Sequence, residues 1–390
     1  MPIVLPDAVI QLRSVLRRLV DEVIEPRAAE IDRTNEVPED ILEQGRELGL
    51  FGLSIPEEYG GIGGSELTSA VALETLSRGP GGVAVYLAPS APAAALRMVG
   101  TEEQKQKYLP ALARGERIAA FCLSESEAGS DAANIKTRAV RRGDRWIITG
   151  TKLWPTRAVR ASLFLVSALT DPEKRAKGGI TLFVLDKRPG ITVGKPDWML
   201  GLRGDGGAEV AYEECEATDA DVLGEVGYGF EALKLILSRA RLWAAARATG
   251  ATGRCLELCI KHARERVQFG QPIGEFQAIK LKLADMASDL YISRLLVYQT
   301  AMLCDEGQDP VQEASYAKLF ATQAACRAAD TAIQIHGAMG LSQEYCVERI
   351  YRDVRAYRIL DGTDDIQRLI IASRFRRQGV GDTIAPGGVL

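Results

Sequence analysis

Near the C-terminus, in YRILDGTDDIQRLI (residues 357–370), three acids surround a Gly-Thr pair: Asp361, Asp364 and Asp365. Thr363 or Asp364 suits a helix N-cap, and negative charge suits the first turn of a helix. Neither rule explains Asp361, which stands before the glycine. A carboxylate there is a candidate proton acceptor. Four other stretches carry residues able to meet a ligand. LSESEAGSD (123–131) offers hydroxyl and backbone donors to a phosphate or a ring edge, or is an ordinary polar turn. TKLWPTRA (151–158) puts Trp154 two residues from Thr156. On a strand these share a face, as an aromatic wall with a hydroxyl, or the Trp is simply core. ERVQFGQPI (265–273) places Arg266 and Phe269 one turn apart at the end of a long helix that the following Gly and Pro stop. In QIHGAMG (334–340), Gly337 and Gly340 permit close approach of a ligand or of a neighbouring helix.

Other chemistries find less support. Cys255, Cys259 and His262 fall on successive turns of one helix face, but a fourth ligand is missing, so no metal is expected. His262 and His336 are the only histidines and neither stands beside a nucleophile, which argues against a Ser-His-Asp triad. No GxGxxG leads from a strand into a helix and no GxxxxGK[ST] occurs, which disfavours a nicotinamide Rossmann domain and a P-loop NTPase.

These residues must be positioned by a chain of 390 residues, long enough for two or three packed units. From 7 to about 115 the pattern is helical, with Val9, Leu12, Leu16, Leu19 and Val23 at helical spacing and a capping box in TEEQ (101–104). From about 118 to 225, RWIITG, SLFLVSAL and ITLFVLD read as strands, and from about 228 long helices return. The expected boundaries are 1–117, 118–226 and 227–390, in an α+β, mainly α architecture. A net charge of −4 favours neither nucleic acid nor an anionic membrane surface. The start lacks a signal-peptide layout, and no stretch approaches ~20 uninterrupted apolar residues. Seven scattered cysteines suit a reducing compartment, so a soluble cytoplasmic protein is expected.

Taken in order, LSESEAGSD, ITGTKLWPTRA, RERVQFGQPIGEFQAIK, QIHGAMG with ERIYRDVR, and DGTDDIQR resemble the acyl-CoA dehydrogenase flavoprotein family over about residues 7–378. The resemblance implies an N-terminal α-domain, a middle β-domain and a C-terminal four-helix-bundle domain. It also implies FAD in the cleft between the last two, and a homotetramer built as a dimer of dimers. Phe121, Leu123, Ser124, Gly129 and Ser130 match the loop along the flavin, with Ser124 at the pyrimidine edge and Ser130 also reaching the acyl carrier. Trp154 and Thr156 match the wall and hydroxyl near flavin N5. Arg266, Phe269, Gln277, Gln334, Gly337 and Ala338 match contacts to the FAD of a neighbouring subunit. Thr363 and Asp365 match residues that close over the cofactor. Arg241 matches an arginine near the thioester, and Leu360 and Gly362 flank the substrate beside Asp361.

Most of the family has glutamate where this chain has Asp361, as the base that takes the α-proton of an acyl thioester while the β-hydride leaves to flavin N5. Aspartate keeps the carboxylate and loses about 1.5 Å of reach, in a kind of site where ~1 Å can cost ~100-fold. Some members carry the base on the helix before the Arg-Phe-Gly block, where this chain has Ala240. Pro155 and Arg157 also depart from the usual Trp-Ile-Thr-Asn run, and Arg157 is expected to alter acceptor docking or the local field. The implied activity is α,β-dehydrogenation of an acyl thioester on CoA or a carrier protein, the acyl group being branched, cyclic or otherwise unusual. An electron-transfer flavoprotein is the implied acceptor. The alternative is a same-fold oxidase of the nitroalkane-oxidase type with Asp361 as carbon-acid base. The DNA-associated flavoproteins of the superfamily carry a basic C-terminal extension, and that class is not expected here. The segment 83–100 is expected to line the acyl cavity, with Arg97 either meeting an acidic acyl tail or lying on the surface.

Overall fold

The computed structural model describes residues 3–87 and 89–377. The N-terminal part is helical: α1 (Asp7–Arg18), α2 (Ala28–Thr34), α3 (Glu39–Glu47), α4 (Glu66–Leu76), α5 (Gly81–Tyr86), α6 (Ala91–Val99) and α7 (Glu102–Ala113). The apolar spacing read in α1 runs on through a π-helical turn, Leu19–Ile24, which keeps Leu16, Leu19, Val20 and Ile24 in one buried cluster. α7 opens with the expected capping box: the Gln104 amide donates to Thr101 Oγ1 at 3.2 Å, and the Thr101 amide to Gln104 Oε1 at 3.1 Å. The apolar stretch Gly81–Val99 is divided between α5 and α6, and 71% of its most apolar window is buried inside the protein.

The middle part forms β1 (Ala119–Cys122), β2 (Arg138–Arg142), β3 (Arg145–Lys152), β4 (Leu163–Leu169), β5 (Ile180–Asp186), β6 (Ile191–Pro196), β7 (Ala208–Ala217) and β8 (Val222–Leu223). Their order is β6-β7-β3-β2-β4-β5-β8, with β1 parallel to β4. β4 and β5 are apolar without alternation because both faces are covered. Leu163, Leu165, Leu182 and Val184 pack with Leu109 and Ile236 on one side, while Phe164, Val166, Phe183 and Leu185 pack with Trp146 and Tyr212 on the other.

The C-terminal part comprises α8 (Gly229–Glu265), a small hairpin of β9 (Val267–Gln268) and β10 (Gln271–Pro272), α9 (Gln277–Asp305), α10 (Val311–His336), α11 (Cys346–Tyr357) and α12 (Asp364–Arg377). Alanines such as Ala245, Ala248, Ala321 and Ala325 line the buried cluster that α8 and α10 share, which lets the helix axes approach closely. Cys255 and Cys259 are buried in this cluster. α4 crosses α8 so tightly that a Cβ on Gly250 would stand 2.0 Å from the Glu74 carbonyl oxygen.

All three parts are tied together by hydrogen bonds around the start of α5 and the loop before β7. Asp353 of α11 accepts from the amides of Gly81 (2.9 Å) and Leu202 (2.6 Å), holding the start of α5 and the loop before β7 at the same place. Asn35 bridges the N-terminal part to that loop, donating to the Asp197 carbonyl and accepting from the Gly204 amide, both at 2.9 Å.

Candidate active site

The two polar loops of the middle part lie side by side. The Leu153 amide donates to the Ser124 carbonyl at 2.9 Å, joining 123–131 to 151–158. Beneath them is a buried ion pair that the sequence reading did not single out. Lys152 Nζ donates to Glu125 Oε1 at 2.8 Å, to the Leu123 carbonyl at 3.0 Å and to Ser167 Oγ at 3.1 Å. Glu125 also accepts from the amides of Lys136 (2.6 Å) and Thr137 (3.0 Å). Burial pushes the Glu125 carboxyl upward, but Lys152 and these bonds hold it below the ordinary range. Phe121 and Leu123 lean on the core, while Gly129 and Ser130 are exposed, with nothing near the place of a Cβ on Gly129.

Trp154 and Thr156 are not on a strand. β3 ends at Lys152, and Trp154 has φ 61 and Arg157 φ 66, so the chain coils through left-handed positions. The coil leaves the indole 49% exposed. The hydroxyls of Ser124, Ser130 and Thr156 make no hydrogen bond among the described residues, so this edge presents donors without partners in the chain.

Arg157 is buried rather than presented on the surface. Its amide donates to the Asp205 carbonyl at 2.8 Å and its Nη2 to the Val85 carbonyl of α5 at 2.7 Å, with the guanidinium 5.8 Å from the Tyr86 ring centroid. Burial above all, with the Arg247 charge acting in the same direction and Tyr86 and Asp205 opposing, draws its pKa down to about 10.

Asp361 occupies the turn between α11 and α12. Its φ is 56 and that of Gly362 is 90, a left-handed pair in which aspartate is tolerated and glycine is at ease. Gly362 has little room for a side chain, since a Cβ would stand 2.9 Å from Gln367 Nε2. Thr363 is the N-cap of α12, its Oγ1 accepting from the Ile366 amide at 3.2 Å. Asp364 is fully engaged: Oδ1 accepts from Lys318 Nζ (3.0 Å) and Thr322 Oγ1 (2.9 Å), and Oδ2 from Arg358 Nε (2.8 Å). Asp365 is exposed and pairs with Arg368 at 2.8 Å. Asp361 differs from both, with a side chain 24% exposed and one long contact, to Arg247 Nη2 at 3.4 Å. Burial raises its pKa above the ordinary value, and Arg247, Lys318 and Arg241 pull it back. Arg241 is buried, and that burial lowers its own pKa. Leu360 packs against the α8–α10 cluster, and Ala240 is buried with no acid in its place.

Arg247 was not foreseen, though a charge within RLWAAARATGATG is a visible break in an otherwise small, apolar helix surface. Arg97 is half-buried and tied into a polar network. It donates to the Ser54 carbonyl at 2.8 Å and to Glu66 Oε1 at 2.9 Å, and Glu66 also accepts from Trp243 Nε1.

The remaining candidates gather elsewhere. The His262 and His336 rings stack at 4.4 Å, bringing the ends of α8 and α10 together, so Arg266 and the Gln334–Ala338 segment are neighbours. Arg266 and Phe269 are not one helical turn apart: α8 stops at Glu265, and Phe269 (φ 52) lies in the hairpin turn, 95% exposed. Arg266, Gln277 and Gln334 make no side-chain hydrogen bonds among the described residues, and Gly337 and Ala338 are exposed. Of the two glycines read there, Gly340 answers to close packing (2.8 Å to Ile333 Cα) and Gly337, at φ 62, faces open space. This group is far from Asp361: Lys318 and His336 are separated by about 27 Å along α10.

Residues 7–116, 120–215 and 227–375 match the N-terminal, middle and C-terminal domains of acyl-CoA dehydrogenases. The chain belongs to the acyl-CoA dehydrogenase family. It is 41% identical over 367 residues to a probable acyl-CoA dehydrogenase, YngJ, of Bacillus subtilis (strain 168), covering 93% of this chain and 97% of that one. It is 39% identical over 369 residues to a 3-(aryl)acrylate reductase of Clostridium sporogenes (strain ATCC 15579), covering 93% and 97%. Among solved structures, butyryl-CoA dehydrogenase from Megasphaera elsdenii superimposes with a TM-score of 0.93 at 32% identity, over 97% of this chain and 100% of that one. The family resemblance read from the motifs, and the helical, β, helical fold class, are thereby borne out.

Proposed function

We propose that this protein is an acyl-CoA dehydrogenase in which Asp361 takes the α-proton. It is an oxidoreductase acting on CH–CH bonds, and its cofactor is FAD. The observation that carries the role of Asp361 is the contrast within DGTDD. Asp364 is consumed by three structural bonds and Asp365 points to solvent, while Asp361 keeps a nearly unengaged carboxylate in the turn between α11 and α12, beside Arg247 of α8.

The chain has the means to hold FAD. Ser124, Ser130 and Thr156 supply unpartnered hydroxyls, Trp154 an exposed indole, and Gly129 an open backbone. FAD held there would supply the acceptor for the hydride that leaves the β-carbon. Asp361 receives the α-proton on its carboxylate, and the electron pair of that C–H bond becomes the new α,β double bond. Arg241 and Arg247 surround the place where enolate charge would develop, so their field favours proton removal. Thr363 fixes the turn that presents the base, and Leu360 and Gly362 bound it.

Arg266, Phe269, Gln277, Gln334, Gly337 and Ala338 serve the cofactor of a second subunit in this reading. Support comes from their distance from Asp361 in one protomer and from the 95% exposure of Phe269. A homotetramer of two such dimers follows, with an electron-transfer flavoprotein as acceptor. Seven free thiols, five of them buried, suit a reducing compartment.

Anaerobic titration with acyl-CoA thioesters tests the reading. Bleaching of the flavin by at least one thioester, with electrons then passing to an electron-transfer flavoprotein far faster than to oxygen, is the expected result. Rapid peroxide formation from a nitroalkane, with no thioester bleaching the flavin, would replace it with an oxidase.

A further inference from the structure

Two guanidinium groups of α8 are buried beside Asp361 with far fewer partners than donors. Arg241 makes no hydrogen bond among the described residues, and its Nε is sealed from solvent. Arg247 makes one, the 3.4 Å contact to Asp361 Oδ2, and its Nε is likewise buried without an acceptor. Both residues are 6% exposed. The carboxylates nearby are already spent: Asp364 on Lys318, Thr322 and Arg358, and Asp353 on the amides of Gly81 and Leu202. Arg157, bonded to the Val85 carbonyl, adds a further positive charge close enough to Arg247 for the two to repel.

Among the described carboxylates Asp361 alone therefore faces Arg241 and Arg247, and buried cations with empty donors are among the costliest groups a fold can retain. An alkyl acyl chain offers them no acceptor. A thioester oxygen beside Asp361 satisfies Arg241 at most, and Arg247 keeps only its long contact to Asp361 and the Tyr357 ring, 5.8 Å away. What completes this cluster is an anion with paired oxygens, which a planar guanidinium binds in a fork.

We propose that the preferred acyl group ends in a carboxylate that pairs with Arg247, so that the substrate class is ω-carboxyacyl thioesters, short dicarboxylic acids joined to the carrier at one end. This rests on the dehydrogenase reading and specifies its substrate. Arg247 serves both carboxylates, holding that of the substrate and steadying Asp361 beside the α-carbon. Acyl groups bearing an ammonium are repelled from the same place.

The test uses purified holoenzyme in anaerobic stopped flow, comparing glutaryl-CoA with its neutral methyl ester and with pentanoyl-CoA. Flavin reduction per unit concentration should favour glutaryl-CoA by about 10- to 100-fold, the range for a desolvated hydrogen bond to a charged group. Arg247→Gln should bring the ratio close to one, and Arg247→Lys should keep part of it, in preparations matched for FAD content. The wild-type comparison stands without any variant. Neutral thioesters bleaching as well as glutaryl-CoA would overturn the inference and leave the dehydrogenase intact, as would a preference that survives in Arg247→Gln. Failure of every thioester to bleach would overturn both.

Discussion

At the scale of single residues, the chemistry rests on which carboxylate has been left free. Asp361 stood out in the sequence because no capping rule explained it, and in the structure its single long contact distinguishes it from the saturated Asp364. Its partner was harder to read. Arg247 lies in an alanine-rich helix where pattern alone does not separate a buried cation from a solvated one, and only the packing of α8 against α11 and the 361 turn decides it. The pair has a consequence for pH. A base works deprotonated, so flavin reduction should rise as pH passes upward through the Asp361 pKa, which burial has raised and Arg247 partly lowers. Removing that cation leaves burial less opposed. In Arg247→Gln, with a neutral acyl-CoA, the acid limb of the reduction rate should therefore move to higher pH. A limb that stays in place or moves to lower pH would show that Arg247 does not act on the titrating group.

At the scale of elements, strands and helices were legible where their apolar pattern was strong, and the loops between them were not. SLFLVSAL and ITLFVLD became β4 and β5 because uninterrupted apolar runs suit a sheet covered on both faces. Trp154 and Thr156 were read as a continuation of β3, whereas positive φ at Trp154 and Arg157 coils that segment away. The small hairpin after α8 was hidden too, since strands of two residues leave almost no periodicity. What pins the adjoining 123–131 loop to β3 is Lys152, invisible in the sequence because its partner Glu125 is 27 positions away and nothing but the fold brings them together. Lys152→Met would leave Glu125 charged and buried without its counter-ion. The expected cost is about 3–5 kcal/mol, the usual penalty for breaking a buried pair, seen as a lowered Tm together with weaker FAD retention. A variant with unchanged Tm and full FAD content would show that the pin does not organise the loop.

At the scale of the whole molecule, the order of helical, β and helical parts was readable from texture, and the family profile spans it. The relation between distant motifs was not. Arg266 and Gln334 were assigned to the cofactor of a neighbouring subunit through the family resemblance alone, and in the structure α10 carries Lys318 at one end and His336 at the other, about 27 Å away. If that far group completes the cofactor site of a second subunit, Arg266→Ala should weaken FAD retention and oligomer assembly together, measured by flavin absorbance across a sizing column. Loss of FAD with assembly untouched would mean the site is not shared. The most direct measurement concerns Asp361 itself. Asp361→Asn keeps the shape and hydrogen bonding of the side chain and removes its basicity. In anaerobic stopped flow with a thioester that bleaches the wild type, FAD should stay bound while its reduction slows by ~100-fold or more, the scale of losing a general base. Reduction at the wild-type rate would contradict the assignment of Asp361 as the base.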